Sequence, residues 1–104
     1  KSTTSKNINA TYNGISVQST WEEQVKYLAE KKIGRYKYHY FTRYANGKIQ
    51  EIWKMDAKDV LDIALTKLKP IYDSEKKRKD PRLGFNITHK NIYEHATQIY
   101  KYEN

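Results

Sequence analysis

Apolar residues recur at helical spacing in three stretches of this chain and at every second position in a fourth. The first stretch is Trp21, Val25, Leu28 and Ala29, spaced i, i+4, i+7 and i+8, which forms one stripe on a helix. Thr20 followed by Glu23 is a capping-box pattern at its start, and Gly34 stands where a C′ glycine would end it. The second stretch is the most hydrophobic: Val60, Leu61, Ala64, Leu65 and Leu68. It predicts a core helix that starts at Asp56, with Asp59 at the third helical position and Pro70 as its stop. The third begins at Thr88 as N-cap, with Ile87 and Ile92 as a hydrophobic staple. Its expected buried stripe is Ile92, Tyr93, Ala96, Ile99 and Tyr100.

The alternating stretch sets Tyr36, Tyr38 and Tyr40 between Arg35, Lys37 and His39, the period of a strand. Ala45-Asn46-Gly47 follows, and Asn-Gly is a strong short hairpin signal. The return strand runs from Lys48 to about Met55, with Ile49, Trp53 and Met55 on one face and Ile52 on the other. Residues 1–18 carry few apolar groups to offset the entropy of ordering, so they read as a polar leader or linker. The stretch from Asp73 to Arg82, with the basic run Lys76 to Lys79, reads as an exposed loop.

These elements predict an α+β fold: a small antiparallel sheet built around the hairpin, packed by about three helices, within one compact basic domain over 19–104. A lone hairpin needs helical cover or another strand. The candidates for a third strand are Ile15–Val17 and Leu83–Ile87.

Composition narrows the class. The 104 residues suit one domain. The absence of cysteine removes disulfides and thiolate metal sites. No apolar run approaches the roughly 18 residues of a membrane span, so no membrane partner is expected of the folded domain. The chain starts at Lys1 rather than methionine, as a processed product or a piece of a larger protein would. Lys and Arg number 20 against 12 Asp and Glu, for a formal charge of +8 and a pI near 9.6. That balance fits a nucleic-acid or acidic partner. Ten tyrosines and two tryptophans add rings that stack on bases. The plainer reading is a solvated basic surface from a compositionally biased genome.

Candidate chemistry concentrates in the last quarter. His89 and His95 can exchange protons near neutral pH, and Arg82, Thr88 and Lys90 are close by to hold phosphate oxygens. Cutting RNA without a metal needs a base for the 2′-hydroxyl, an acid for the leaving oxygen and cations for the developing charge. His89 falls at a helix start, which attracts phosphate. His95, six residues on, lies about 240° around an ideal helix, so the pair does not share a face. A version with His89 alone as acid or base survives that objection. No cofactor or metal is expected, since no His-x-x-x-His pair or Cys is present, and Asp56, Asp59 and Asp62 read as helix-start charges. Alternatively, Arg35, Lys37, His39 and Arg43 could carry the hairpin 35–55 into a DNA groove as a non-enzymatic binding module. Residues 34–69 loosely resemble the arm-binding domains of transposon integrases in this respect.

As a whole, the chain resembles the C-terminal toxin modules of contact-dependent growth inhibition and other polymorphic toxin systems. The features are the polar leader, the lack of a starting methionine, the lack of cysteine, the basic body and the segment Gly84–His95. The resemblance implies an endoribonuclease acting on tRNA or other structured RNA, with Thr88 and His89 as its catalytic residues. It also implies an acidic immunity protein, a translation factor as an accessory partner, and delivery from a secreted or cell-surface protein into a target-cell cytoplasm.

Overall fold

The computed structural model describes residues 1–16, 18–75 and 82–103, apart from the side chains of Glu75 and Arg82. In chain order the elements are β1 (Ser2–Thr3), β2 (Ala10–Ser16), α1 (Trp21–Tyr27) continued by a π-helical turn (Leu28–Lys32), β3 (Tyr38–Ala45), β4 (Lys48–Asp56), α2 (Ala57–Glu75), β5 (Arg82–Ile87), α3 (His89–His95) and β6 (Thr97–Lys101). The fold is α+β. The hairpin forms the centre of a four-stranded sheet of order β1-β3-β4-β6, and β2 and β5 make a separate two-stranded sheet.

The hairpin reverses at Asn46 and Gly47, with φ of 53° and 73°. Positive φ at both central residues is what a type I′ turn requires, and its twist matches that of the strands it joins. β4 pairs antiparallel with β3 on one side and with β6 on the other, while β1 runs parallel to β3. Phe41 and Met55 point from the sheet into the core, where Val60, Ala64 and Leu68 of α2 meet them.

Both candidate third strands exist, but they pair with each other rather than with the hairpin. Ala10 lies opposite Ile87 and Tyr12 opposite Phe85. Along β5, Leu83, Phe85 and Ile87 are buried; along β2, Ala10 and Tyr12 are. Each ribbon is apolar on one face only, and pairing turns the two half-faces into one. The Tyr12 and Phe85 rings stack, with centroids 5.6 Å apart and planes 9° from parallel.

Three expectations change. Residues 1–16 carry structure that the polar-leader reading did not expect: β1 and β2 belong to sheets, and Ile8 is fully buried. Their few apolar groups fall at every second position, so low average hydrophobicity conceals a core-facing strand. Val17 and 76–81, most of the expected basic loop, lie outside the described residues. Pro70 does not stop α2, which runs on to Glu75. Pro70 itself is exposed, and the turn beyond it is anchored: the Tyr72 hydroxyl donates to the Ser19 carbonyl at 2.9 Å and its ring lies 5.5 Å from that of Trp21. Finally, α3 ends at His95. Ala96 is extended, and Thr97–Lys101 becomes a strand beside β4, leaving Ile99 and Tyr100 exposed rather than in a buried stripe. The β-favouring Thr, Ile and Tyr of this segment satisfy backbone groups that the edge of β4 would otherwise leave unpaired.

The predicted caps form. Thr20 Oγ1 accepts from the Glu23 amide at 3.1 Å while Glu23 Oε1 accepts from the Thr20 amide at 3.0 Å. At Gly34 a β-carbon would sit 1.8 Å from the Ala29 carbonyl oxygen, so only glycine fits.

Gln24 of α1 is the buried polar side chain among the described residues. Its Nε2 donates to the carbonyls of Ile15 at 3.1 Å and Ser16 at 2.8 Å, and its Oε1 accepts from the Ile15 amide at 3.2 Å. Gln24→Leu keeps the volume but leaves those backbone groups unpaired. It is expected to lower the unfolding free energy by about 2 kcal/mol, read as an earlier urea midpoint. An unchanged midpoint would show that Gln24 does not hold the end of β2.

Candidate nucleic-acid interface

The β3–β4 ladder decides which side chains share a face. Its register shifts between Arg43 and Tyr44, so Arg43 pairs with Glu51, Phe41 with Trp53 and His39 with Met55. β6 continues the row: Glu51 pairs with Lys101 and Trp53 with Gln98. Arg43, Glu51 and Lys101 therefore form one charged row across three strands, beside the covered centre of the sheet.

Glu51 is fixed there by both oxygens. Arg43 Nε donates to Oε2 at 2.6 Å and Trp53 Nε1 donates to Oε1 at 2.8 Å. The Arg43 and Glu51 side chains are 22% and 12% exposed, so solvent weakens their attraction only in part. They line a cleft of about 440 Å³ together with Trp53, Tyr93, Gln98 and Lys101. The Trp53 and Tyr93 rings meet at 5.1 Å, and His89 packs edge-on to Tyr93 at 5.7 Å. The cleft thus combines a proton acceptor, two cations and an aromatic wall, which His89 touches through Tyr93.

The residues singled out from sequence are dispersed. Thr88 caps α3: its hydroxyl donates to Asn91 Oδ1 at 2.9 Å and accepts from the Asn91 amide at 3.3 Å. His89 faces Tyr93, whereas His95 lines a different groove of about 340 Å³ with Asp59, Asp62, Thr66, Lys67 and Asn91. Two carboxylates there set a poor field for phosphate. Lys67 in the same groove donates to the Asn86 carbonyl and to Asn91 Oδ1, both at 2.6 Å, and burial lowers its pKa. Lys90 is exposed on α3. The backbone of Arg82 pairs with Ser16, and its side chain lies outside the described residues. Arg35 and Lys37 are exposed on the approach to β3, each near a tyrosine ring, at 5.5 Å from Tyr36 and 5.4 Å from Tyr38.

Opposite the core, the sheet presents Tyr38 and Tyr40 of β3, Lys54 of β4 and Tyr100 of β6. Lys54 Nζ sits 3.9 Å from the Tyr38 ring centroid. Tyr40 and Tyr100 are exposed. Rings interleaved with cations suit stacked bases and a phosphate backbone.

Among the described residues, no three His, Cys, Asp or Glu side chains gather as a metal site would need. No protein-family model, curated protein or solved structure matches the chain.

His39 has a structural part. Its Nε2 lies 2.9 Å from the Ile33 carbonyl and its Nδ1 lies 3.0 Å from the Tyr12 hydroxyl. A carbonyl only accepts, so Nε2 carries hydrogen and, in the neutral ring, Nδ1 accepts from Tyr12. The contact ties β2 to β3. Burial pushes the Tyr12 phenol well above its ordinary value of 10.0. Tyr12 therefore keeps its proton in the folded chain at pH values where an unfolded tyrosine has lost it. That contribution to stability is complete below about pH 10 and declines as pH rises further, by up to about 1.4 kcal/mol per pH unit. Denaturation at pH 9 and 11 is expected to show a larger alkaline loss for the wild type than for Tyr12→Phe. Equal losses would mean that Tyr12 ionises normally.

Proposed function

We propose that this domain is an endoribonuclease that cuts tRNA or other structured RNA without a metal ion, in the cleft around Glu51. The observation that carries this reading is the Glu51 carboxylate pinned by Arg43 and Trp53, with Lys101 in the adjacent strand and His89 against the aromatic wall. Glu51 takes the proton of the 2′-hydroxyl, whose oxygen attacks the neighbouring phosphorus. Arg43 and Lys101 neutralise charge that builds on the phosphoryl oxygens. His89, beyond Tyr93, supplies a proton to the departing 5′-oxygen through an intervening water. Trp53 and Tyr93 hold a base by stacking. Relative to a two-histidine mechanism, the carboxylate replaces His95 and Thr88 is a positioning residue that sets the start of α3.

The basic surface and the resemblance to polymorphic toxin modules extend the proposal to an acidic immunity protein, which a net charge of +8 would draw in rapidly. The DNA-ribbon reading has less support. β3 and β4 are flanked by β1 and β6, making a sheet wider than the two-stranded ribbon that a major groove admits.

RNA cleavage is expected to persist in excess chelator. Glu51→Gln and His89→Ala should each slow it by about 10²–10⁴-fold, with circular dichroism unchanged, while His95→Ala should stay near wild type. An absolute requirement for a divalent ion, or wild-type turnover by folded Glu51→Gln, would overturn the assignment.

A further inference from the structure

Tyr36 stands between two hollows that the cleavage reaction leaves unused. On one side is a largely apolar groove of about 400 Å³ walled by Tyr36, Tyr38, Ala57 and Leu61, with Asp56 and Lys58 at its margin. On the other is a pocket of about 450 Å³ that Tyr36 shares with Lys1, Lys31, Lys32 and His39. The two differ in charge. The groove sets the Asp56 carboxylate against Lys37 and Lys58, whereas no carboxylate lines the pocket. The Lys1 ammonium is lowered from its ordinary value by burial and then by the charge of Lys32, as crowded amines without a counter-ion should be. Tyr36 is 56% exposed, and Arg35 lies 5.5 Å from its centroid.

We infer that Tyr36 is the centre of a nucleotide subsite, in which the groove takes an unpaired base of RNA and the lysine pocket takes its phosphate. A base has apolar faces for Tyr36, Tyr38 and Leu61 and polar edges for Asp56. A phosphate supplies negative charge to Lys31 and Lys32, while Lys1 Nζ at the edge of the pocket already donates to the Thr11 carbonyl at 2.7 Å. His39 already spends both ring nitrogens on Tyr12 and Ile33, so it shapes the pocket wall without reacting. The choice of RNA rests on the function proposed above, but the subsite is distinct from the cleft. His39 and Arg43 occupy the same strand four residues apart, about 13 Å along β3. The subsite therefore holds a nucleotide other than the pair flanking the cut.

The test is a nuclear magnetic resonance titration of the whole chain with a 5′-nucleoside monophosphate, the matching nucleoside and inorganic phosphate. The monophosphate is expected to shift Tyr36, Lys32 and His39 signals and to bind more tightly than either part alone. Lys31→Gln with Lys32→Gln should reduce its affinity to that of the nucleoside. Tyr36→Ala should weaken the monophosphate and the nucleoside about tenfold and leave inorganic phosphate unaffected. Absence of shifts with the monophosphate would overturn the subsite, as would inorganic phosphate binding equally well. Glu51→Gln should bind the monophosphate as wild type does. Binding without any cleavage would thus count against the cleft alone, and cleavage without binding against the subsite alone.

Discussion

A strand shows alternate side chains to alternate faces, so a slip of one residue in a ladder exchanges inside for outside. In this protein the irregularity between Arg43 and Tyr44 performs that exchange partway along the hairpin. Beyond it, Glu51, Trp53 and Met55 of β4 lie beside Arg43, Phe41 and His39. Met55 and Phe41 then seal the core, Trp53 reaches Tyr93 of α3, and Glu51 meets its cation. The core, the seat of α3 and the charged row are consequences of one register. Tyr38, Tyr40 and Lys54 go to the opposite face for the same reason.

A second layer braces this sheet. β2 and β5 supply an apolar face for α2, and α1 is fastened to β2 through the amide of Gln24. The brace is polar where it meets backbone and apolar where it meets side chains. Burying an amide is acceptable there because its donor hydrogens and its oxygen find main-chain partners. Gly14 is small for the same purpose: a β-carbon at that position would come within 2.6 Å of Gln24 Oε1.

The parts of this architecture that rest on neighbouring residues were legible in the sequence. The caps at Thr20 and Thr88 need only a partner three residues on, and the Asn46-Gly47 reversal needs only its own two residues. The stripe Val60, Ala64 and Leu68 announces the buried face of α2. What could not be read depends on distant partners. An uninterrupted ladder from the turn would set Arg43 opposite Gln50, and the shift sets it opposite Glu51 instead. Arg43 and His89 were therefore recognisable as candidates, while the carboxylate that meets Arg43 was not. Pro70 carries a stop signal that Tyr72 overrides by bonding to Ser19, and the helical spacing of Ile92, Ala96 and Ile99 yields to the open edge of β4. In the first eighteen residues, average polarity hid the alternation that matters.

The pairing of β2 with β5 also bears on how the molecule assembles. The Thr11 hydroxyl donates to Asn86 Oδ1 across 75 positions of sequence. The hairpin at Asn46-Gly47 closes locally, on a timescale of about 1–10 μs, whereas the outer ribbon waits for a loop that spans most of the chain. Closing so long a loop costs entropy before any contact repays it. During synthesis β2 leaves the ribosome first and must remain unpaired until β5 follows. Its alternation of apolar groups with Thr11 and Asn13, in place of a continuous hydrophobic run, keeps that early segment hydrated while it waits.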